Sequence, residues 1–221
     1  MKCYAKDYCK GWKTEKCNEL CNLYVKLNAI YAQSNIPQRY RFNIPLRPQT
    51  HDRENFLQLK EFQDNIIDHV ENGDNLFIYS PTTGNGKTAW STKIANQYIR
   101  KTVAKSRLEN DVMYMNVSEF LSDVRDQFTN HTTEFLAYKD NLAKCKLLIM
   151  DDIGAEKPSD WVRETLYNII NNRYMEMKST IFTSNCTPEQ LESQLGNRIK
   201  SRVCSSEIVS LKGFDRRDSN E

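Results

Sequence analysis

No stretch of the 221-residue chain approaches the roughly 20 apolar residues that a membrane helix needs, and its first 25 residues are too charged for a signal peptide. The expectation is a cytoplasmic protein with no membrane partner. The chain also lacks an excess of either charge, since 31 Lys and Arg against 29 Asp and Glu leave a net charge of +2. Bulk charge therefore marks no nucleic-acid partner, although a local basic face remains compatible with one. Internal repeats and low-complexity segments are absent too. With 27% charged and 10% aromatic residues, the composition suits a folded soluble protein rather than a disordered one. Without an export signal, the seven cysteines are expected to stay reduced rather than form structural disulfides. The length accommodates one α/β domain and a small appendage.

Four of those cysteines, Cys3, Cys9, Cys17 and Cys21, fall among lysines and aromatics in the first 21 residues. Residues 1–32 therefore read as a separate head. Residues 33–53 are polar and punctuated by Pro37, Pro45 and Pro48, which reads as an extended linker. From Glu54 onward Phe56, Leu59, Phe62, Ile66 and Val70 recur at helical spacing, and the pattern stops at Asn72-Gly73-Asp74. Five apolar runs follow: Leu76 to Tyr79, Val112 to Met115, Leu147 to Met150, Ile181 to Thr183 and Ile208 to Leu211. Strands without polar alternation, mostly separated by helices, are what a parallel sheet covered on both faces requires. Residues 54–221 are thus expected to form a doubly wound α/β domain with a five-stranded parallel sheet. Thr187, Pro188 and Gln190 supply a capping box and a proline at the first helical position, predicting a helix from there to about Val203.

Ser80-Pro81-Thr82-Thr83-Gly84-Asn85-Gly86-Lys87-Thr88 lies between the first strand and a helical stretch, where a phosphate-binding loop must sit. Gly84 and Gly86 allow backbone N–H groups to turn toward phosphate oxygens, and the helix N-terminus adds its positive dipole end. Lys87 would reach the outer phosphates of a nucleotide, and Thr88 would put its hydroxyl on Mg²⁺. Thr83, Asn85 and Ala89 complete the candidate cradle. Pro81 departs from the pattern G-x-x-x-x-G-K-[ST], standing where the first glycine belongs.

Leu147 to Asp152 is an apolar strand ending in two carboxylates, whose burial would be costly without a purpose. It reads as a Walker B element, with Asp151 holding Mg²⁺ through water and Asp152 polarising the attacking water. The strand ending at Thr183 leads into Ser184-Asn185, where Asn185 is placed to sense the γ-phosphate or the water. All three motifs fall at strand ends, where open α/β sheets bind ligands. Arg198 and Arg202 share a helix face. Their spacing alone leaves two readings open: a solvated basic face, or an arginine offered to a neighbour's nucleotide.

The run from Ile36 to Arg217 resembles the AAA+ domain of replicative-helicase loaders of the DnaC and DnaI type. The resemblance is carried by Ile36-Pro37-Gln38-Arg39-Tyr40, Gly84 to Thr88, Leu148 to Glu156, Asn172-Arg173-Tyr174, Phe182 to Asn185, Leu195 to Arg202 and Gly213 to Arg217. It implies an ATPase that loads the hexameric replicative helicase onto single-stranded DNA, using ATP and Mg²⁺. It also implies self-association, with Arg202 as a finger in trans and Arg198 as its helper. Arg216 or Arg217 would approach the nucleotide in a sensor-2-like role. Only ten residues follow Leu211, so no full helical lid is expected. Asp-Asp in place of the commoner Asp-Glu suggests slow, switch-like hydrolysis. Two other readings share the core: a phage or mobile-element protein that inhibits the host helicase or its loader, and a transposition-associated ATPase.

The spacings x5, x7 and x3 between Cys3, Cys9, Cys17 and Cys21 suit a structural Zn²⁺ site, because a small head cannot bury enough core to fold unaided. By resemblance the head is the helicase-binding module. Lys10, Lys13 and Lys16 leave a DNA contact as the alternative.

Overall fold

The computed structural model describes residues 3–15, 17–42, 44–49, 52–106, 111–126, 133–155, 159–205 and 207–213. The described chain opens with α1 (Asn22–Gln33), a 3₁₀ turn (Gln38–Tyr40), α2 (Arg53–Asp64) and α3 (Ile66–Asn72). Then come β1 (Leu76–Tyr79), α4 (Lys87–Thr102), β2 (Val112–Asn116), α5 (Val117–Asp126), α6 (Thr133–Lys144) and β3 (Leu147–Asp151). The remainder is α7 (Asp160–Met175), β4 (Ser179–Ser184), α8 (Pro188–Leu195), α9 (Asn197–Val203) and β5 (Glu207–Ser210). The five strands pair in parallel, as the apolar runs predict, and their order is β2-β3-β4-β1-β5.

Successive side chains of each strand alternate between two buried layers. Leu76, Ile78, Leu147, Ile149 and Ile181 face one layer together with Leu59 and Phe62 of α2, Ile66 of α3, and Trp90 and Ile94 of α4. Phe77, Leu148, Met150 and Phe182 face the other, against Phe120 of α5, Leu166 of α7, Leu191 of α8 and Ile199 of α9. Both faces being apolar explains why the strand sequences show no polar alternation. The registers Tyr79↔Ser184 and Asn116↔Asp151 bring the carboxyl ends of the strands to one edge, where the three motifs meet.

Two helical stretches are broken where the sequence pattern suggests continuity. The pattern from Glu54 to Val70 divides at Asn65, yet Leu59, Phe62, Ile66 and Val70 all stay buried, because both short helices turn the same stripe inward. The helix expected from Thr187 to Val203 keeps its capping box but stops at Gly196, whose φ of 89° and ψ of 158° cannot continue a helix. At Gly73 φ is 75°, and a Cβ there would stand 2.5 Å from the Met177 carbonyl oxygen, so the turn between α3 and β1 requires glycine.

The N-terminal region packs onto the α4 layer. Cys3, Ala5, Leu27, Ile30, Tyr31 and Ile36 belong to the same buried cluster as Leu76 and Ile94. The stretch read as an extended linker carries the fully buried Ile36 and the 3₁₀ turn. At the opposite edge of the sheet, buried Arg173 donates to the carbonyls of Leu142, Cys145 and Ser179 and to the Thr180 hydroxyl, tying together the starts of β3 and β4. This accounts for the charged residue in the Asn172-Arg173-Tyr174 motif without a role at the nucleotide.

Candidate functional site

The phosphate-binding turn is built by the β1-to-α4 connection. The Ser80 N–H donates to the Ser184 carbonyl at 3.1 Å, extending the β1–β4 pairing one residue past the strand. Ser80 Oγ accepts from the Thr82 N–H at 3.2 Å, so the turn across Pro81 closes through a side chain and asks no donor of the proline. Gly84 and Gly86 have φ of 71° and 104°, the conformations that the glycine positions were read to permit. Lys87 is nearly buried, and its Nζ donates to the carbonyls of Thr82 at 2.9 Å and Ser80 at 3.3 Å, curled into the loop that it would serve.

A cleft of about 460 Å³ opens over this turn, lined by Thr83, Gly84, Asn85, Gly86, Lys87, Thr88, Ala89, Asp152 and Asn185. Residues from three strand ends thus share one cavity. Asp151 is buried and accepts hydrogen bonds from Thr88 Oγ1 at 2.9 and 3.1 Å, Thr183 Oγ1 at 2.6 Å and the Tyr114 hydroxyl at 2.7 Å. Burial, and then the Asp151 charge, push the Tyr114 hydroxyl far above its usual range, keeping it a donor. Asp152 sits at φ 61°, its N–H donating to Thr183 Oγ1 at 3.0 Å. Burial raises its carboxyl above the usual range and the Asp151 charge raises it further, while Lys87 opposes both. Asn185 stands exposed at the rim after Ser184, whose Oγ donates to the Ile153 carbonyl.

A threonine hydroxyl at hydrogen-bond distance from a carboxylate, beside a lysine, is a donor set that fits Mg²⁺ with a nucleotide phosphate. Thr88 and Asp151 would hold the ion, and the ion would supply charge neutralisation at the phosphates.

The far wall of the cleft consists of Arg39, Tyr40, Ile44, Pro45 and Leu46, all from the stretch whose prolines predict only an extended linker. Two side chains of α4 fix it. Asn96 Nδ2 donates to the Tyr40 carbonyl and Lys93 Nζ to the Ile44 carbonyl, each at 2.7 Å. Burial lowers the Lys93 ammonium below its usual range. Nothing in the local pattern of Tyr114, Lys93 and Asn96 separates them from ordinary core and helix positions, whereas Thr183 belongs to the run Phe182 to Asn185 quoted for the resemblance. Arg39 and Tyr40 did carry a signal, since they belong to the run Ile36 to Tyr40 quoted for the resemblance.

Arg198 and Arg202 lie outside this cleft. Arg198 is exposed on α9. Arg202 is half-buried, its guanidinium 5.1 Å from the Tyr167 ring centre and 5.6 Å from that of Tyr174. Its Nε donates to Asn171 Oδ1 at 2.9 Å and one terminal nitrogen to the Arg198 carbonyl at 2.8 Å. Arg216 and Arg217 lie outside the described residues. Cys3, Cys9, Cys17 and Cys21 line one cavity of about 130 Å³ with Trp12, Leu23 and Tyr24. Among the described residues, however, no three His, Cys, Asp or Glu side chains gather closely enough to hold an ion. The zinc site read from the cysteine spacing is therefore not shown here: the four cysteines, none in a disulfide, line this cavity together with apolar walls.

No helix of the described residues is long and apolar enough to cross a membrane. The family described as the bacterial DnaA ATPase domain matches residues 55–209. Among curated proteins, the chain is 32% identical over 122 residues to the replicative helicase loader DnaI of Bacillus subtilis, covering 54% of this chain and 36% of that protein. It is 26% identical over 145 residues to the replicative helicase loader DnaC of Escherichia coli, covering 66% of this chain and 53% of that one. These matches span between about a third and a half of the curated relatives' lengths. The fold is shared with a crystal structure of the DnaC helicase loader at a TM-score of 0.63, 22% identity and coverage of 76% and 94%. It is also shared with a replication initiator DnaA bound to AMPPCP and single-stranded DNA, at a TM-score of 0.61, 18% identity and coverage of 81% and 52%. The chain belongs to the bacterial DnaA ATPase domain family.

Proposed function

We propose that the chain is an ATP-controlled loader that places a hexameric replicative helicase onto single-stranded DNA. The observation that carries this reading is the single cleft shared by the phosphate-binding turn, Asp152 and Asn185, with Asp151 bonded to Thr88 beneath it. In this reading Lys87 draws in the β- and γ-phosphates, leaving its loop carbonyls for the anion. Thr88 and Asp151 hold Mg²⁺, which neutralises phosphate charge when bound. Asp152 orients the attacking water and accepts its proton, and Asn185 hydrogen-bonds the γ-phosphate or that water. Tyr40, Ile44, Pro45 and Leu46 offer an apolar wall for the adenine base, with Arg39 at its rim.

Arg202, with Arg198 beside it, serves the nucleotide of a neighbouring copy, which fits its position away from its own cleft. Arg216 or Arg217 approaches the nucleotide from the tail. Residues 1–32 form the helicase-binding head, where exposed Leu20 and Val25 supply apolar contact surface. Zn²⁺ drawn into the four-cysteine cavity would stabilise that head, and metal analysis of the purified chain, with and without Cys17→Ser, tests it. The loading reading is tested by helicase unwinding on single-stranded DNA coated with binding protein. Stimulation by the wild type and none by Lys87→Ala supports a loader. Inhibition by the wild type instead supports a protein that occupies the helicase without loading it.

A further inference from the structure

We propose that Tyr114 is a positioning residue that orients Asp151 for Mg²⁺ and ties this carboxylate to the end of the N-terminal helix α1. The inference rests on reading Thr88 and Asp151 as the magnesium site. Tyr114 lies on β2, the last strand of the sheet on that side, so among the described residues one backbone edge of β2 has no strand beside it. There the Tyr114 N–H donates to the Ser34 carbonyl at 2.7 Å, immediately after α1. Its hydroxyl donates to Asp151 Oδ2, also at 2.7 Å. One residue thus connects the N-terminal region with the carboxylate beneath the phosphate-binding turn.

Each end of this connection is itself held. Thr183 Oγ1 donates to Asp151 Oδ1 at 2.6 Å and Thr88 Oγ1 reaches both oxygens, so three hydroxyls set the plane of the carboxylate. Two of the three come from elements away from that edge: Thr183 from β4 at the centre of the sheet, and Thr88 from the start of α4, whose buried side chains join the layer of Leu76 and Ile149. Tyr114 alone comes from the strand whose outer edge meets α1. Ser34 is fully buried, and its hydroxyl donates to the Tyr31 carbonyl and accepts from the Ile36 N–H, each at 3.3 Å, which fixes the carbonyl that Tyr114 uses. A cation that binds a carboxylate through an ordered water depends on the direction of the oxygen lone pairs, so losing one of three orienting donors weakens Mg²⁺ binding without removing a ligand. Displacing the end of α1 would act on the same carboxylate through the same residue.

The test is a titration of the full chain with a fluorescent ATP analogue, in EDTA and across a Mg²⁺ series, reading the Mg²⁺ concentration that gives half of the affinity gain. Tyr114→Phe keeps the buried ring and removes only the hydroxyl. It is expected to leave affinity in EDTA unchanged and to raise the half-effect concentration about 5-fold, the loss of one buried hydrogen bond. Ser34→Ala, whose hydroxyl touches no residue of the nucleotide cleft, is expected to shift it in the same direction by about 2-fold. A wild-type Mg²⁺ response in Tyr114→Phe overturns the positioning role, and so does an equal loss with and without the ion. A shift in Tyr114→Phe without one in Ser34→Ala overturns the tie to α1. Asp151→Asn separates the two levels: if it retains the whole Mg²⁺ effect, the magnesium-site reading itself fails, whereas its loss beside an unaffected Tyr114→Phe rejects only the inference about Tyr114.

Discussion

The two ends of the nucleotide cleft are built in opposite ways. The phosphate end is a single connection, Ser80 to Thr88, whose glycines, lysine and threonine act through backbone conformation and the start of α4. The opposite wall, formed by Arg39, Tyr40, Ile44, Pro45 and Leu46, has among these described residues no regular structure beyond one 3₁₀ turn and is held by side chains of α4, Asn96 and Lys93. One end is therefore contained in nine consecutive residues, while the other exists only once distant segments have met. Substitutions at the two ends should fail differently.

The largest effect is expected from Lys87→Ala. Removing a charge-assisted contact to phosphate should weaken ATP and tripolyphosphate alike by roughly 100-fold, measured by calorimetric titration. Asp152→Asn should bind ATP normally and lose about 100-fold in steady-state turnover, as loss of a general base does. The same substitution carries a pH signature. The folded carboxyl lies above its unfolded value, so ionising it costs stability; that cost is absent below the ordinary carboxylate range and complete above the folded value. Thermal unfolding across pH should show Asp152→Asn more stable than the wild type at neutral pH, with the gain vanishing on acidification.

Lys93→Met sharpens the comparison most. It keeps the aliphatic stem but frees the Ile44 carbonyl, so ATP should bind about 5-fold more weakly while tripolyphosphate, which never reaches that wall, binds as before. If both ligands weaken equally, the two ends are not separable. The smallest effect belongs to Thr187→Ala, far along the chain from both ends. Losing the capping box that joins Thr187 and Gln190 should cost about 1 kcal/mol in denaturant unfolding and leave nucleotide affinity unchanged.

The same contrast decides what the sequence reveals. Gly84, Gly86, Lys87 and Thr88 are legible because the loop needs those residue types at fixed spacing, and Asp151-Asp152 because carboxylates seldom end an apolar strand. The strands were legible as well, β1 to the residue, since burial on both faces leaves unbroken apolar runs. The breaks at Asn65 and Gly196 were hidden, because a stripe of buried residues can continue across a kink. Tyr114 was hidden for a different reason: within Val112 to Met115 a tyrosine reads as one more strand residue, and its hydroxyl acquires a partner only when β2 aligns with β3. Lys93 and Asn96 look like ordinary polar positions of a helix until the Ile44 and Tyr40 carbonyls meet them. Cys3, Cys9, Cys17 and Cys21 were grouped correctly by sequence proximity, and they do line one cavity, but spacing does not set the distances between sulfurs.

Whether one cleft takes ATP by both ends is decided by paired calorimetric titrations of ATP and tripolyphosphate into the wild type, Lys87→Ala and Lys93→Met. Both ligands should bind the wild type, both should weaken by roughly 100-fold in Lys87→Ala, and ATP alone should weaken in Lys93→Met; ATP binding that survives Lys87→Ala undiminished would rule out the phosphate-binding turn as its site.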